Sequence, residues 1–474
     1  MPPLRVLARG FRLLAAAAGR GWSRTPRERR GPLLALGVVG CAALPGVPYA
    51  WWAVGLALPV TAAWLGWRET REAGGPPGAV RECLGTLYEA LVPYFSAAAD
   101  PSPEPLFAPG GEWERCFTGF SFGSDGRIAR LTLRYPAFFP DGDPACRARV
   151  ERVLAGKAGR DREFAFRWEE ERNRLEMALL APLPTGICAQ RFVTSAGETV
   201  LGFTDAAAVD RTVPVRCGLR YGLLVDAPPV VWRTGPRSAE PNLLVVGAPG
   251  AGATTLLRSI ALQALEHGEV LLVDGSGTGE FACFAGRAGV VGVEAGPVGA
   301  VAALEWAERE TERRLLAAGQ GPRPGPAEPA LWIVVDRPAL LGHLARIEGV
   351  RDPLGLLEVP LRYGRAGRVT VVLAEQFEAW GGLGEAVLGC TRARVVLGAV
   401  GAGQAEAVLG VPPPGSTPAW VPPGRGYARL GSGRAYRMQV PATPDPYDDA
   451  TPEPLRGAVL ALLPRHRRTA VENR

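Results

Sequence analysis

Asn242-Leu-Leu-Val-Val-Gly247-Ala248-Pro249-Gly250-Ala251-Gly252-Ala253-Thr254-Thr255 decides how this chain is read. An apolar strand runs into a glycine-rich turn, and the turn opens a helix that continues as Leu-Leu-Arg-Ser-Ile-Ala-Leu-Gln-Ala-Leu265. That context is the one required by the pattern G-x-x-x-x-G-K-[ST], whose glycines let backbone N–H groups curl round phosphate oxygens at a helix N-terminus. Gly247 to Thr255 are the expected phosphate-cradling residues, and Thr254 keeps the hydroxyl suited to Mg²⁺. Ala253 stands where the pattern has lysine. The competing reading is an ordinary tight turn between strand and helix.

Outward from the loop, apolar runs at 243–246, 270–273, 290–293, 331–335, 369–373 and 393–397 alternate with helical stretches, the longest within 294–317. Such alternation predicts a parallel sheet covered on both faces. One polar pair, Glu375-Gln376, ends the run Val369-Thr-Val-Val-Leu-Ala374 at a strand end where such sheets place phosphate-sensing groups.

The chain has 474 residues, of which 47% are hydrophobic and 21% charged, enough for two or three domains with a large core. A net charge of +6 is compatible with nucleic acid or anionic lipid and too mild to establish either. Lys157 is the sole lysine, so arginine carries nearly all positive charge. Eight scattered cysteines without a C-x-x-C pair argue against a disulfide framework or zinc site, and three isolated histidines exclude a histidine metal cluster.

Segment by segment, 1–30 is a basic amphipathic stretch, and 31–67 carries no charge. As one helix the latter would be roughly 55 Å long, nearly twice the hydrocarbon core, and Pro45 and Pro48 break it. A transmembrane two-helix hairpin is expected. The arginines at 24, 27, 29 and 30 on one side and at 68 and 71 on the other put both ends in the cytoplasm. A cleaved leader and a buried core hairpin are the alternatives weighed. Residues 68–111 read as a linker with one helix, 112–182 as a small α/β domain, and 183–240 as a β-rich lead-in. The domain bearing the loop spans 241–440, and 441–474 reads as a C-terminal tail.

In order along the chain, the glycine loop, Asp274 with Glu280, Leu331-Trp-Ile-Val-Val-Asp336, Arg365-Ala-Gly-Arg-Val-Thr-Val-Val-Leu-Ala-Glu-Gln376 and Thr391-Arg-Ala-Arg-Val-Val-Leu resemble the RecA-like motor of the FtsK/SpoIIIE (FtsK–HerA) family of membrane-tethered DNA translocases. The resemblance covers roughly 215–440. It implies a RecA-like P-loop NTPase fold, ATP and Mg²⁺ as cofactors, and Asp336 and Gln376 as catalytic residues, with Thr254 and Asp336 at the metal. It further implies Arg365, Arg368, Arg392 and Arg394 as contacts to DNA or to a neighbouring subunit's nucleotide, with charges on solvated element ends as the bland reading. Partners would be double-stranded DNA, the plasma membrane and hexamer-forming FtsK-like subunits.

The departures are as informative. A lysine ammonium about 4 Å from phosphate is worth roughly 4 kcal/mol at an effective dielectric near 20, and Ala253 forgoes it. Arg337 stands where the resemblance would place a water-polarising carboxylate. Efficient ATP hydrolysis is therefore not expected of this chain alone, while weak Mg–nucleotide binding is. Of the two arginines able to replace the lysine, Arg258 is expected to face away, and Arg337 sits at the right strand end. The functions weighed are a DNA-pumping ATPase, a non-hydrolysing regulatory or assembly paralogue, and a membrane scaffold.

Overall fold

The computed structural model describes residues 77–96, 104–218, 222–319, 328–416, 418 and 420–467. The basic segment 1–30 and the segment 31–67, where a transmembrane hairpin is expected, lie outside the described residues. Among the described residues no helix is long and apolar enough to cross a membrane. The chain divides into two compact units, one ending at Gly159 but including Phe166–Leu179, the other made of Arg160–Ala165 and the residues from Leu180 onward.

The smaller unit contains α1 (Pro77–Phe95), β1 (Phe117–Phe122), β2 (Ile128–Arg134), α2 (Pro144–Ala158) and β4 (Arg174–Leu179), with β3 (Phe164–Glu169) completing a sheet of order β1-β2-β4-β3. Its two-residue alternation predicts half-buried strands, as observed. The stretch read as a linker differs from expectation. Leu84, Leu87, Tyr88, Leu91 and Phe95 of α1 are buried together with Phe107. Tyr88 and Phe107 stack at 5.2 Å, and the Tyr88 hydroxyl accepts from Ala108 N at 2.9 Å. An aromatic core thus ties 104–111 to α1, and proline and glycine at its borders disguise it in composition.

The larger unit opens with β5 (Glu198–Phe203), the hairpin β6 (Val213–Cys217) and β7 (Leu223–Ala227), and β8 (Pro229–Arg233). Then follow β9 (Leu243–Gly247), α3 (Ala253–Ala264), β10 (Gly268–Asp274), β11 (Val290–Glu294), α4 (Pro297–Gly319), β12 (Ala330–Asp336) and α5 (Pro338–Glu348). The chain continues through α6 (Pro353–Leu356), α7 (Glu358–Tyr363), β13 (Val369–Gln376), α8 (Gly384–Cys390), β14 (Ala393–Leu397), α9 (Ala402–Leu409), β15 (Arg425–Arg429), β16 (Ala435–Gln439) and α10 (Glu453–Leu462). Ten strands form one sheet of order β11-β10-β12-β13-β9-β14-β15-β16-β5-β8. The first six are mutually parallel and the last four antiparallel. This is a mixed α/β architecture with a large parallel-containing sheet, consistent with a RecA-like fold.

Strand parity distributes the core. Leu243, Val245, Val270, Leu272, Trp332, Val334, Val372 and Ala374 pack with Leu256, Leu257, Ile260 and Ala261 of α3 on one face. Their neighbours Leu244, Val246, Leu271, Val273, Leu331, Ile333, Val335, Val371 and Leu373 pack with α4 and α5 on the other. Burying each such side chain is worth roughly 1.5–3 kcal/mol, and burial on both faces is why these strands read as unbroken apolar runs. The segment read as a tail is also part of this core: Val459 and Leu463 join the α3 face, and Ala288 N donates to Arg465 O at 2.9 Å.

Candidate functional site

Parallel pairing brings four strand ends to one edge. Asp274 is paired with Asp336, Asp336 with Ala374, and Gln376 with Gly247. Because side chains alternate with period two, Asp274, Asp336 and Gln376 fall on the α3 face and Glu375 on the face of α5. The glycine loop leaves β9 between them. Gly250 and Gly252 are left-handed (φ +72° and +95°), and a Cβ on Gly252 would stand 2.9 Å from Gly424 N. Gly252 is the N-cap of α3, and no side chain caps that helix. The amides of its first turn therefore lack intrahelical acceptors.

These parts enclose a cleft of about 370 Å³, lined by Gly247 to Thr255, Arg258, Ser276, Thr278, Glu280, Asp336, Arg337, Glu375 and Gln376. All the expected loop residues, together with Asp336 and Gln376, are brought together. Thr254 Oγ1 donates to Asp336 Oδ2 at 2.7 Å. Burial, reinforced by the Asp274 and Glu280 charges against the Thr254 hydrogen bond and Arg337, raises the Asp336 pKa to about 6. The Gln376 side chain makes no hydrogen bond among the described residues.

Several cleft residues were not among the expected site residues. Arg258 does not face away. It is four residues beyond Thr254, hence on the same helix face, and that spacing was the signal available. Its Nε donates to Glu280 O at 2.9 Å and its Nη2 to the Glu280 carboxylate. Asp274 builds the loop that delivers Glu280: its carboxylate accepts from Ser276 Oγ (2.6 Å) and from the amides of Ser276, Gly277, Gly279 and Glu280. Glu375 is buried and accepts from Ala339 N (2.9 Å), in the first turn of α5, and from Gln376 N (2.8 Å). Burial raises its pKa, against those two amides and Arg337.

Arg365, Arg368 and Arg392 are not part of this cleft. They precede β13 and β14, so they lie at the opposite, amino edge, about 16 to 26 Å away for five to eight residues at 3.3 Å each. Arg365 donates to Ser238 O and Arg368 to Glu328 O. Arg394 is spent on Thr391 O, Val408 O and Leu388 O. A contact of these arginines with the chain's own glycine loop is excluded by that separation.

The donor set fits Mg–nucleotide. Hydroxyl and carboxylate oxygens suit a hard divalent cation that retains waters and phosphate oxygens, and the uncapped helix start suits phosphate. Among the described residues no group of three or more His, Cys, Asp or Glu could hold a metal by itself.

No family model and no curated protein matches the chain. Solved structures resemble it in outline. The cytoplasmic domain of the type VII secretion ATPase EccC from Thermomonospora curvata is 20% identical over 60% of this chain and 33% of its own, with a TM-score of 0.42. ATPases 2 and 3 of EssC from Geobacillus thermodenitrificans give 14%, 60%, 52% and 0.44 in the same order. The pCW3 conjugation coupling protein TcpA, in monomer form with ATPγS, gives 15%, 80%, 99% and 0.44. The match thus spans a third of the first protein's length and half of the second's. At these scores the likeness is one of outline, and the functional reading rests on the site itself.

Proposed function

We propose that this chain is a nucleotide-binding, FtsK/SpoIIIE-like protein of the plasma membrane, associated with DNA translocation or transfer and impaired in ATP hydrolysis. The observation that carries the reading is the cleft in which a left-handed glycine loop and an uncapped helix start face Asp336, with Thr254 hydrogen-bonded to it at 2.7 Å. Gly247 to Thr255 would hold the phosphates, and Thr254 and Asp336 the Mg²⁺. Bound magnesium would supply charge neutralisation at the phosphates.

Two substitutions favour a regulatory or assembly role beside an active, FtsK-like ATPase in a shared hexamer. Ala253 offers no cation. Arg337 follows Asp336, and a guanidinium cannot accept a proton from water. Hydrolysis needs a positioned base or water-orienting group, and the cleft's carboxylates besides Asp336 are engaged, Glu375 by two amides on the α5 face and Glu280 by Arg258. Arg365, Arg368 and Arg392, at the far edge, are proposed to meet DNA or a neighbouring subunit.

A turnover assay on the purified full chain with double-stranded DNA tests this reading. Bound ATP should persist, and steady turnover at or above about 1 s⁻¹, an ordinary enzyme rate, would reject it. DNA binding should fall steeply with salt if arginines meet phosphates. Recovery of the full chain in the membrane fraction, and its loss on deleting 31–67, tests the anchor.

A further inference from the structure

We infer that Arg337 supplies, from the end of β12, the charge that Ala253 omits from the loop, and that it acts on the terminal phosphate of a nucleoside triphosphate. The inference rests on the nucleotide reading above and goes beyond it by assigning the distal phosphate to one side chain.

The charges lining the cleft are Arg258, Arg337, Glu280, Asp336 and Glu375. Arg258 is buried and committed to Glu280, so it braces α3 against the 275–280 loop. Glu375 is committed to the start of α5, and Asp336 to Thr254. Arg337 has no such duty. Its charge lowers the pKa of Asp336 and of Glu375, yet no hydrogen bond or ion pair ties its guanidinium to any described residue. A half-buried cation beside two carboxylates, bound to neither, is available to a ligand.

Its placement is fixed by the backbone. Arg337 is left-handed at φ +54°, a conformation a side chain rarely adopts. Arg337 N donates to Ala374 O at 2.8 Å, Leu341 N donates to Arg337 O at 3.1 Å, and Pro338 opens α5. The turn therefore sets the guanidinium on the cleft one residue past Asp336. Arg337 thus lines the same cleft as the loop Gly247 to Thr255 and the Thr254–Asp336 pair. A planar guanidinium pairs bidentately with phosphate oxygens, which a lone ammonium does not. An arginine here holds the triphosphate and gives no base for its hydrolysis.

The test is competition of ATP and of ADP, each with Mg²⁺, against a fluorescent nucleotide on the full chain. Arg337→Asn suits the left-handed backbone and removes the charge. It should weaken ATP by roughly tenfold or more and ADP by less than about threefold, a charge lost at the distal phosphate only. Arg337→Lys should lie between it and the wild type. Adding Ala253→Lys to Arg337→Asn should restore ATP affinity to within about threefold, because the charge returns from the loop side. Unchanged ATP affinity in Arg337→Asn, with an unchanged melting temperature, overturns the inference while the nucleotide reading stands. Equal losses for ATP and ADP without rescue also overturn it. A wild-type chain that binds neither nucleotide removes the nucleotide reading itself.

Discussion

The two edges of the parallel sheet use arginine in opposite ways. At the amino edge Arg365, Arg368, Arg394 and Arg429 donate to main-chain carbonyls, and Arg394 and Arg429 together take Val408 O and Leu409 O at the end of α9. Buried Asn242 does related work there, donating to Leu361 O (2.9 Å) and Cys390 O and accepting from Val371 N (3.0 Å). These side chains close open backbone valences. At the carboxyl edge the first turn of α3 is left uncapped and Arg337 unbound. At the amino edge arginine serves structure throughout, whereas at the carboxyl edge Arg258 braces Glu280 and Arg337 is held in reserve, and only the partner distinguishes the two roles.

Stability and ligand affinity should separate along that line. The largest effect expected is on pH dependence, through Asp336. Burial first, then Asp274 and Glu280, raises its pKa from 3.8 to about 6. The folded state therefore binds the proton more tightly, so this favourable contribution is complete below pH 3.8 and is lost as pH rises through 6. At 1.36 kcal/mol per pKa unit, stability should fall by roughly 3 kcal/mol in all on this account alone, most of it between pH 4 and 7. Urea unfolding of Asp336→Asn should flatten that fall and leave the variant more stable than the wild type at pH 7; an unaltered pH profile would show that the carboxylate is not so perturbed.

Next in size, Asn242→Ala strands three buried backbone groups at the amino edge and should cost about 2–3 kcal/mol in the same unfolding experiment, with nucleotide affinity intact. Gly252→Ala should cost about 1–3 kcal/mol, from a left-handed alanine pressed against Gly424 N, and should also abolish nucleotide binding because the loop must move. Arg394→Met should cost about 1–2 kcal/mol through lost carbonyl hydrogen bonds and leave affinity alone. A drop in affinity from Arg394→Met, or none from Gly252→Ala, would erase the distinction between the edges.

The six parallel strands were legible because each is an apolar run too short for a helix and bounded by turn residues, and all but the edge strand β11 are buried on both faces. The loop was legible because its glycines sit between such a strand and a helix. Other features depended on contacts that composition hides. The helix Pro77–Phe95 was expected, yet its packing was hidden because its partner Phe107 lies in a Pro/Gly-rich stretch, and Val459 reads as tail because its partners are far away in sequence. Arg365, Arg368, Arg392 and Arg394 could not be ranked from sequence, since strand polarity alone says which edge they occupy and not which carbonyl each meets. Glu375 and Gln376 are adjacent, yet parity sends them to opposite faces of the sheet. The sequence offered one further signal, the four-residue spacing of Thr254 and Arg258, which places both on the cleft.

Calorimetric titration of the full chain with ATP, with and without Mg²⁺, tests the central claim most directly. A single saturable site is predicted that needs Mg²⁺, weakens by roughly tenfold or more in Thr254→Ala, and is untouched by Arg394→Met. Absence of binding at millimolar ATP, or binding indifferent to both Mg²⁺ and Thr254, would contradict the account.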